Sequence, residues 1–271
     1  MGGSSPTAPS GPPAPGSTIV YTAIGASDAT GHGASVECVP FADCTNGTGY
    51  VPVTARQLRA QGFTVTLSNL GLPTAVIGRD FQLLGQQYNR TIAGNFIDQE
   101  VPFVARNSTV VTIFAGGNDV NTITAALGGG AGGNDPNGFV DAQVRAFGGD
   151  YTKLISGLRD RASSARLIAL NLPNLAALPY LSRTSASQRQ AAQRAAVGMT
   201  TTVVNPLTAQ NVTVIDLMCD SRSYQPSNYS SDGFHPNDAG YAFIAGEVVK
   251  AITSGSYTAP RTSCSQMTIV P

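Results

Sequence analysis

From residue 17 onward, short β-branched runs alternate with longer stretches of helical periodicity. Residues 17–24 (STIVYTAI) read as a strand that ends at Gly25. Residues 53–61 read as a helix stopped by Gly62, and 63–67 (FTVTL) as a second strand. Residues 108–115 (STVVTIFA) are nearly continuously apolar and β-branched, the pattern of a strand covered on both faces. Val140, Val144, Phe147, Tyr151, Leu154 and Leu158 recur at spacings of four and three, which predicts a helix with one apolar stripe. Gly148-Gly149 in its middle are a place for a kink. Residues 165–170 (ARLIAL) predict a fourth strand and 184–207 a mostly helical segment with Pro206 near its end. Residues 212–217 (VTVIDL) predict a fifth strand. Residues 236–252 predict a last helix, with Pro236 in its first turn and Ile244, Val248 and Ile252 spaced by four. Strands alternating with helices predict a parallel sheet covered on both faces, a three-layer α/β/α sandwich. Functional residues of such folds collect beyond the C-terminal ends of the strands.

Composition narrows the classes. Sixteen Lys+Arg balance sixteen Asp+Glu among 271 residues, with no basic run, so nucleic acid is not an expected partner. No apolar stretch has the length of a membrane helix, and no integral membrane segment is expected. Residues 1–16 (MGGSSPTAPSGPPAPG) hold nothing that packs a core and read as a disordered linker or tail before one domain, 17–271. No charged segment followed by an apolar one reads as a signal peptide; Met1-Gly2-Gly3 reads as a start standing in its place.

Cys38, Cys44, Cys219 and Cys264 contain no Cys-x-x-Cys pair, which argues against a zinc or redox motif. In a neutral, lysine-poor chain they suit a secreted or periplasmic protein. The expected disulfides are Cys38–Cys44, closing a surface loop, and Cys219–Cys264, tying down the C-terminal tail; four free thiols are the alternative. With only His32 and His235, a multi-histidine catalytic metal site is not expected, and no cofactor or metal is assigned.

The residues at the predicted strand ends carry the chemistry. Strand one is followed by Gly25-Ala26-Ser27-Asp28, strand two by Asn69-Leu70-Gly71, and strand three by Gly116-Gly117-Asn118-Asp119. Before the last helix stands Asp232-Gly233-Phe234-His235-Pro236. An Asp and a His three residues apart in a turn can pair through the carboxylate and Nδ1, leaving Nε2 free as a base. Each piece has a bland alternative: a turn serine, a turn glycine, an Asn capping the next helix, a structural histidine. Their order along the chain resembles the SGNH hydrolases of the GDSL esterase/lipase superfamily. Gly25-Ala26-Ser27 matches the Gly-Asp-Ser block with Ala in place of Asp, and Gly71 matches the second block loosely. Gly116-Gly117-Asn118-Asp119 matches Gly-x-Asn-Asp, and Asp232-Gly233-Phe234-His235-Pro236 matches Asp-x-x-His-Pro.

The resemblance spans residues 18–252 and implies a flavodoxin-like sandwich with five parallel strands. It also implies ester hydrolysis through an acyl-enzyme. Ser27 is then the nucleophile, His235 the general base and acid, and Asp232 its orienting carboxylate. Ser27 N–H, Gly71 N–H and the Asn118 amide are the oxyanion donors. Val120 and Phe234 are expected to line the substrate site. His32, in the glycine-rich Gly31-His32-Gly33 loop, reads as a loop or substrate-contact residue, and Asp28 and Asp119 as capping or loop-stabilising carboxylates. Residues 128–138 (GGGAGGNDPNG) read as a surface connector. Asn46-Gly47-Thr48 is a glycosylation triplet only in a eukaryotic secretory host. The expected activity is that of a monomeric serine esterase acting on short-to-medium acyl esters. The alternatives are a carbohydrate O-acetyl esterase, a lipase or lysophospholipase, a non-catalytic binding module that kept the fold, and a flavodoxin-like nucleotide binder.

Overall fold

The computed structural model describes residues 11–41 and 44–271. Five strands form one parallel sheet: β1 (Thr18–Gly25), β2 (Thr64–Asn69), β3 (Val110–Phe114), β4 (Arg166–Leu170) and β5 (Thr213–Ile215), in the spatial order β2-β1-β3-β4-β5. All five residues of β3 are buried, as its unbroken apolar run requires of a central strand. The helices are α1 (Ser27–Thr30), α2 (Tyr50–Ala60), α3 (Arg79–Gln87), α4 (Phe96–Gln99), α5 (Gly117–Gly128), α6 (Pro136–Arg161), α7 (Ala186–Met199) and α8 (Asp238–Thr253). The chain moves outward from β1 in both directions. Right-handed crossovers therefore place α2 and α8 on one face and α3, α5, α6 and α7 on the other. The result is the three-layer α/β/α sandwich that the alternation predicts.

The register decides where the chemistry sits. Gly25, Phe114 and Leu170 lie side by side as the last residues of β1, β3 and β4. The segments that follow them leave the sheet at one common edge.

Several boundaries differ from expectation, each for a local reason. α8 begins at Asp238 rather than Pro236, because the Asn237 side chain caps it by accepting from the N–H groups of Ala239 and Gly240. Gly148-Gly149 leave α6 unbroken, since the stripe from Val140 to Leu158 is buried along its whole length. The expected helix over 184–207 stays regular only to Met199 and then becomes a π turn, Thr200–Val204, and a 3-10 turn, Asn205–Gln210. There the Thr201 and Thr202 hydroxyls bond back to the carbonyls of Val197 and Gly198, Thr200 bonds across to the Leu172 carbonyl after β4, and Pro206 lacks a donor. α3 and α4 were not anticipated; α3 buries only Phe81 and Gly85, too few positions to show a period.

The four cysteines pair as expected, Cys38–Cys44 and Cys219–Cys264. The second closes a separation of 45 residues, worth about 4 kcal/mol by restriction of the unfolded chain. Of the expected linker, residues 1–10 lie outside the described residues. Residues 11–16 carry no helix or strand, and the Arg166 guanidinium donates to the Gly11 carbonyl. No described helix is long and apolar enough to cross a membrane.

Candidate active site

β1 ends at Gly25, and two residues later α1 opens with Ser27, whose side chain stands at the sheet edge and is nearly buried. Glu100, just after α4, holds this corner: its Oε2 accepts from Gly25 N–H at 3.0 Å. Glu100 is fully buried and its Oε1 has no partner among the described residues, so burial pushes its pKa well up despite the Gly25 hydrogen bond. No sequence signal pointed to this residue.

The turn 232–236, brought over by the start of α8, faces Ser27. Ser27 Oγ lies 2.8 Å from His235 Nε2. His235 Nδ1 donates to Asp232 Oδ2 at 2.6 Å. Asp232 Oδ1 accepts from Ser230 Oγ and from the N–H groups of Phe234 and His235. Partial burial works to raise the Asp232 pKa. The His235 ring, the two N–H groups and the Ser230 hydroxyl outweigh it and hold the carboxyl at about 2. Asp232 is therefore ionised across the working pH range. With a carboxylate on Nδ1, the imidazole keeps the tautomer whose Nε2 can accept the Ser27 proton. Gly233 makes the turn possible: its φ is +71°, and a Cβ there would lie 2.7 Å from Tyr180 N.

The expected residues from the other strands are placed unevenly. Asn118, in the first turn of α5, lines the same cleft as Ala26 and Asp28, the neighbours of Ser27, and its Nδ2 donates to the Ala75 carbonyl at 3.1 Å. The second amide hydrogen of Nδ2 remains for another acceptor. Gly71 departs from expectation. Its N–H donates to Asn69 Oδ1, and it packs against Ala26 and Ala29 behind α1, where even a methyl group would collide with Ala29. Three residues on, Thr74 takes a left-handed φ of +67°. Its N–H has no partner among the described residues, while its hydroxyl accepts from Ala93 N–H. A non-glycine residue with positive φ, next to the cleft-lining Ala75, is a feature that only the folded chain reveals. Ser27 N–H, at the open start of α1, is likewise without a partner among the described residues.

Val120 does not line the site. It is fully buried in the core, because two residues along a helix turn the side chain about 200° away from Asn118. Asp119 points inward too, and its Oδ1 accepts from Ile77 N–H at 3.0 Å, the loop-stabilising role expected of it. Burial pushes its pKa up to about 7, against the pull of that hydrogen bond. The native state thus favours the protonated carboxyl. The stability this contributes is complete below the unfolded value near 4 and is lost as pH rises through about 7, a change of about 4 kcal/mol at most. Asp119→Asn keeps the acceptor for Ile77 and removes the titration. The denaturant midpoint of wild type is expected to fall between pH 5 and pH 8 relative to the variant; parallel curves would refute this.

Phe234 lines the cleft as expected and packs edge-on against Tyr180 and His235. The cleft runs beneath the Ser27 corner, walled by Leu172, Leu175, Leu178, Leu217, Phe243 and Ile244. Inside, the centres of water-sized molecules have ≈ 50 Å³, several times the roughly 10–15 Å³ that one water needs. Asp28 also lines it; burial raises the Asp28 pKa while His235 works against the rise. His32 stands beside the triad, its ring edge-on to His235 with centroids 4.6 Å apart and its Nδ1 3.0 Å from Glu37 Oε1. The 128–138 connector lines a separate, larger hollow with Ser185 and Gln188.

The arrangement provides a hydroxyl, an imidazole on it and a carboxylate on the imidazole, beside a small apolar cleft lined by their chain neighbours Ala26, Asp28, Phe234 and Pro236. The model of the GDSL-like Lipase/Acylhydrolase family matches residues 23–243. No curated protein is significantly similar to the chain. Among solved structures, the lipase Lip_vut3 from a goat rumen metagenome superposes with a TM-score of 0.60 at 18% identity, over 87% of this chain and 98% of that one. The extracellular lipase of Streptomyces rimosus gives 0.56 at 17%, over 87% and 100%. Axe2, an acetyl xylan esterase from Geobacillus stearothermophilus, gives 0.51 at 14%, over 89% and 97%. At these identities the likeness is one of fold. The family match covers most of the chain and falls on the same strand-end segments that build the site: the chain belongs to the GDSL-like lipase/acylhydrolase family of hydrolases.

Proposed function

We propose that this protein is a serine esterase that hydrolyses short-chain acyl esters. The observation that carries the reading is the continuous line from Ser27 Oγ through His235 to Asp232, at 2.8 and 2.6 Å. Ser27 attacks the ester carbonyl while His235 Nε2 takes its proton. His235 returns the proton to the leaving alcohol, and Asp232 stabilises the imidazolium between the two transfers. Water then releases the acid from the acyl-enzyme by the same relay. The oxyanion is received by the Ser27 N–H, the Asn118 amide and the Thr74 N–H, which takes the place expected of Gly71. The unpaired donor at Thr74 and the occupied one at Gly71 support that exchange.

The narrow apolar cleft is the acyl site, and its size favours an acyl group of few carbons. Initial rates on p-nitrophenyl esters test this directly. Acetate and butyrate are expected to turn over with the highest kcat/KM, and dodecanoate at least about 100-fold more slowly, because a chain too long for the cleft holds its carbonyl away from the Ser27 hydroxyl. A profile rising toward long chains would overturn the acyl-size reading. Failure to hydrolyse any of them would overturn the esterase reading. One observation favours a second reading, a carbohydrate O-acetyl esterase: the cleft is small enough to suit an acetyl group as the acyl part. Comparing an acetylated sugar with p-nitrophenyl acetate separates the two. The two disulfides support action in an oxidising compartment, outside the cell or in a periplasm.

A further inference from the structure

His32 has no task in the reaction proposed above, yet its position is built with care. Its backbone carbonyl accepts from Tyr241 OH at 2.7 Å. Glu37 Oε1 accepts from both Gly33 N–H and the His32 ring. The neighbouring Gly33 has a φ of +88°, and a Cβ there would lie within 3.0 Å of His235 Cβ, Ser230 Cβ and the Pro236 carbonyl. The loop therefore rides directly on the turn that carries His235 and Asp232. Glu37 on Nδ1 leaves the lone pair of His32 Nε2 unused.

His32, Asp232 and His235 each offer one donor atom, and the three atoms lie within 4.8 Å of one another. Two neutral imidazoles and one carboxylate form a standard donor set for zinc, with a water completing the tetrahedron. A carboxylate on the far nitrogen of a ligating imidazole is the usual outer support of such a site, and Glu37 supplies it here. Zinc with ligands at about 2.0–2.2 Å spaces its donors about 3.4 Å apart, so no two of the three have to close by more than about 1.4 Å. His32, whose side chain is 51% exposed, has the freedom to do this.

We propose that His32, Asp232 and His235 form a reversible inhibitory site for a borderline-soft divalent cation such as zinc. Inhibition follows from occupancy alone. His235 uses Nδ1 for Asp232 and Nε2 for Ser27, so whichever nitrogen the cation takes is one the relay needs. Hard cations that prefer oxygen ligands, such as magnesium, gain nothing from two imidazoles.

The inhibition rests on the esterase reading; the binding does not, and calorimetry separates them. Zinc chloride titrated into the full chain is expected to bind at one equivalent, and magnesium chloride not at all. His32→Asn is expected to weaken zinc binding at least about 10-fold, and Glu37→Gln about 10-fold by removing the outer support. The zinc concentration that halves ester hydrolysis is expected to rise by the same factors. Equal affinity in wild type and both variants, or no heat with wild type at millimolar zinc, would overturn the site. If His32→Asn does not fold, Glu37→Gln carries the test alone. Zinc binding by a chain that hydrolyses no ester would overturn the esterase reading and leave the site standing.

Discussion

Ser27→Ala is expected to lower kcat on p-nitrophenyl acetate by about 10⁴- to 10⁶-fold, and His235→Ala by a similar factor. The double variant should be no slower than either single one, because nucleophile and base act as one unit and losing either disables it. The only hydrogen bond the Ser27 hydroxyl makes among the described residues is to His235. The loss should therefore leave the thermal midpoint close to wild type, which separates a chemical defect from a folding one. Since Asp232 is held at about 2, it stays ionised across the assay range and contributes no limb to the pH–rate profile there. Near-wild-type turnover by Ser27→Ala or by His235→Ala would rule out this mechanism.

Asn118→Ala should cost about 100- to 1000-fold in kcat with little change in KM, since an oxyanion donor acts mainly in the transition state. The structure adds a reason for the upper end of that range. The Asn118 amide also anchors the Ala75 carbonyl, next to Thr74, whose N–H we assign to the same oxyanion. Removing the side chain loosens a second donor along with the first. Asn118→Asp keeps the shape but sets a carboxylate against both the oxyanion and the Ala75 carbonyl, so it should be no better than alanine. Steady-state kinetics on one ester decide this. A rise in KM at unchanged kcat would mean that Asn118 binds substrate and does not stabilise the transition state.

The architecture was legible because burial writes itself into local patterns. Residues 108–115 could only be a strand covered on both faces, and Val140 to Leu158 only a helix facing a core. The strand-end rule then pointed to the right segments. What failed were positions that depend on a helix's rotation or a loop's path. Val120 follows Asn118 by two residues in sequence but faces the opposite side of α5. Gly71 fits a motif by residue type, yet its N–H is spent on Asn69. Thr74 carries no motif, and nothing local in the sequence announces its left-handed backbone. Glu100, behind Gly25, is 75 residues away in the chain.

By itself the sequence determined the three-layer alternation and the Asp232–His235 pair, whose partners are three residues apart in one turn. These rest on short-range periodicity and on contacts a turn can make alone. Only the tertiary structure decided which donors are free, what fills the cleft and how wide it is, and that His32 meets His235 across 203 residues of chain. Those depend on the register of β1 against β3 and on how closely the His32 loop rides over the turn before α8. Both are set by packing among residues far apart in sequence, which no local pattern records.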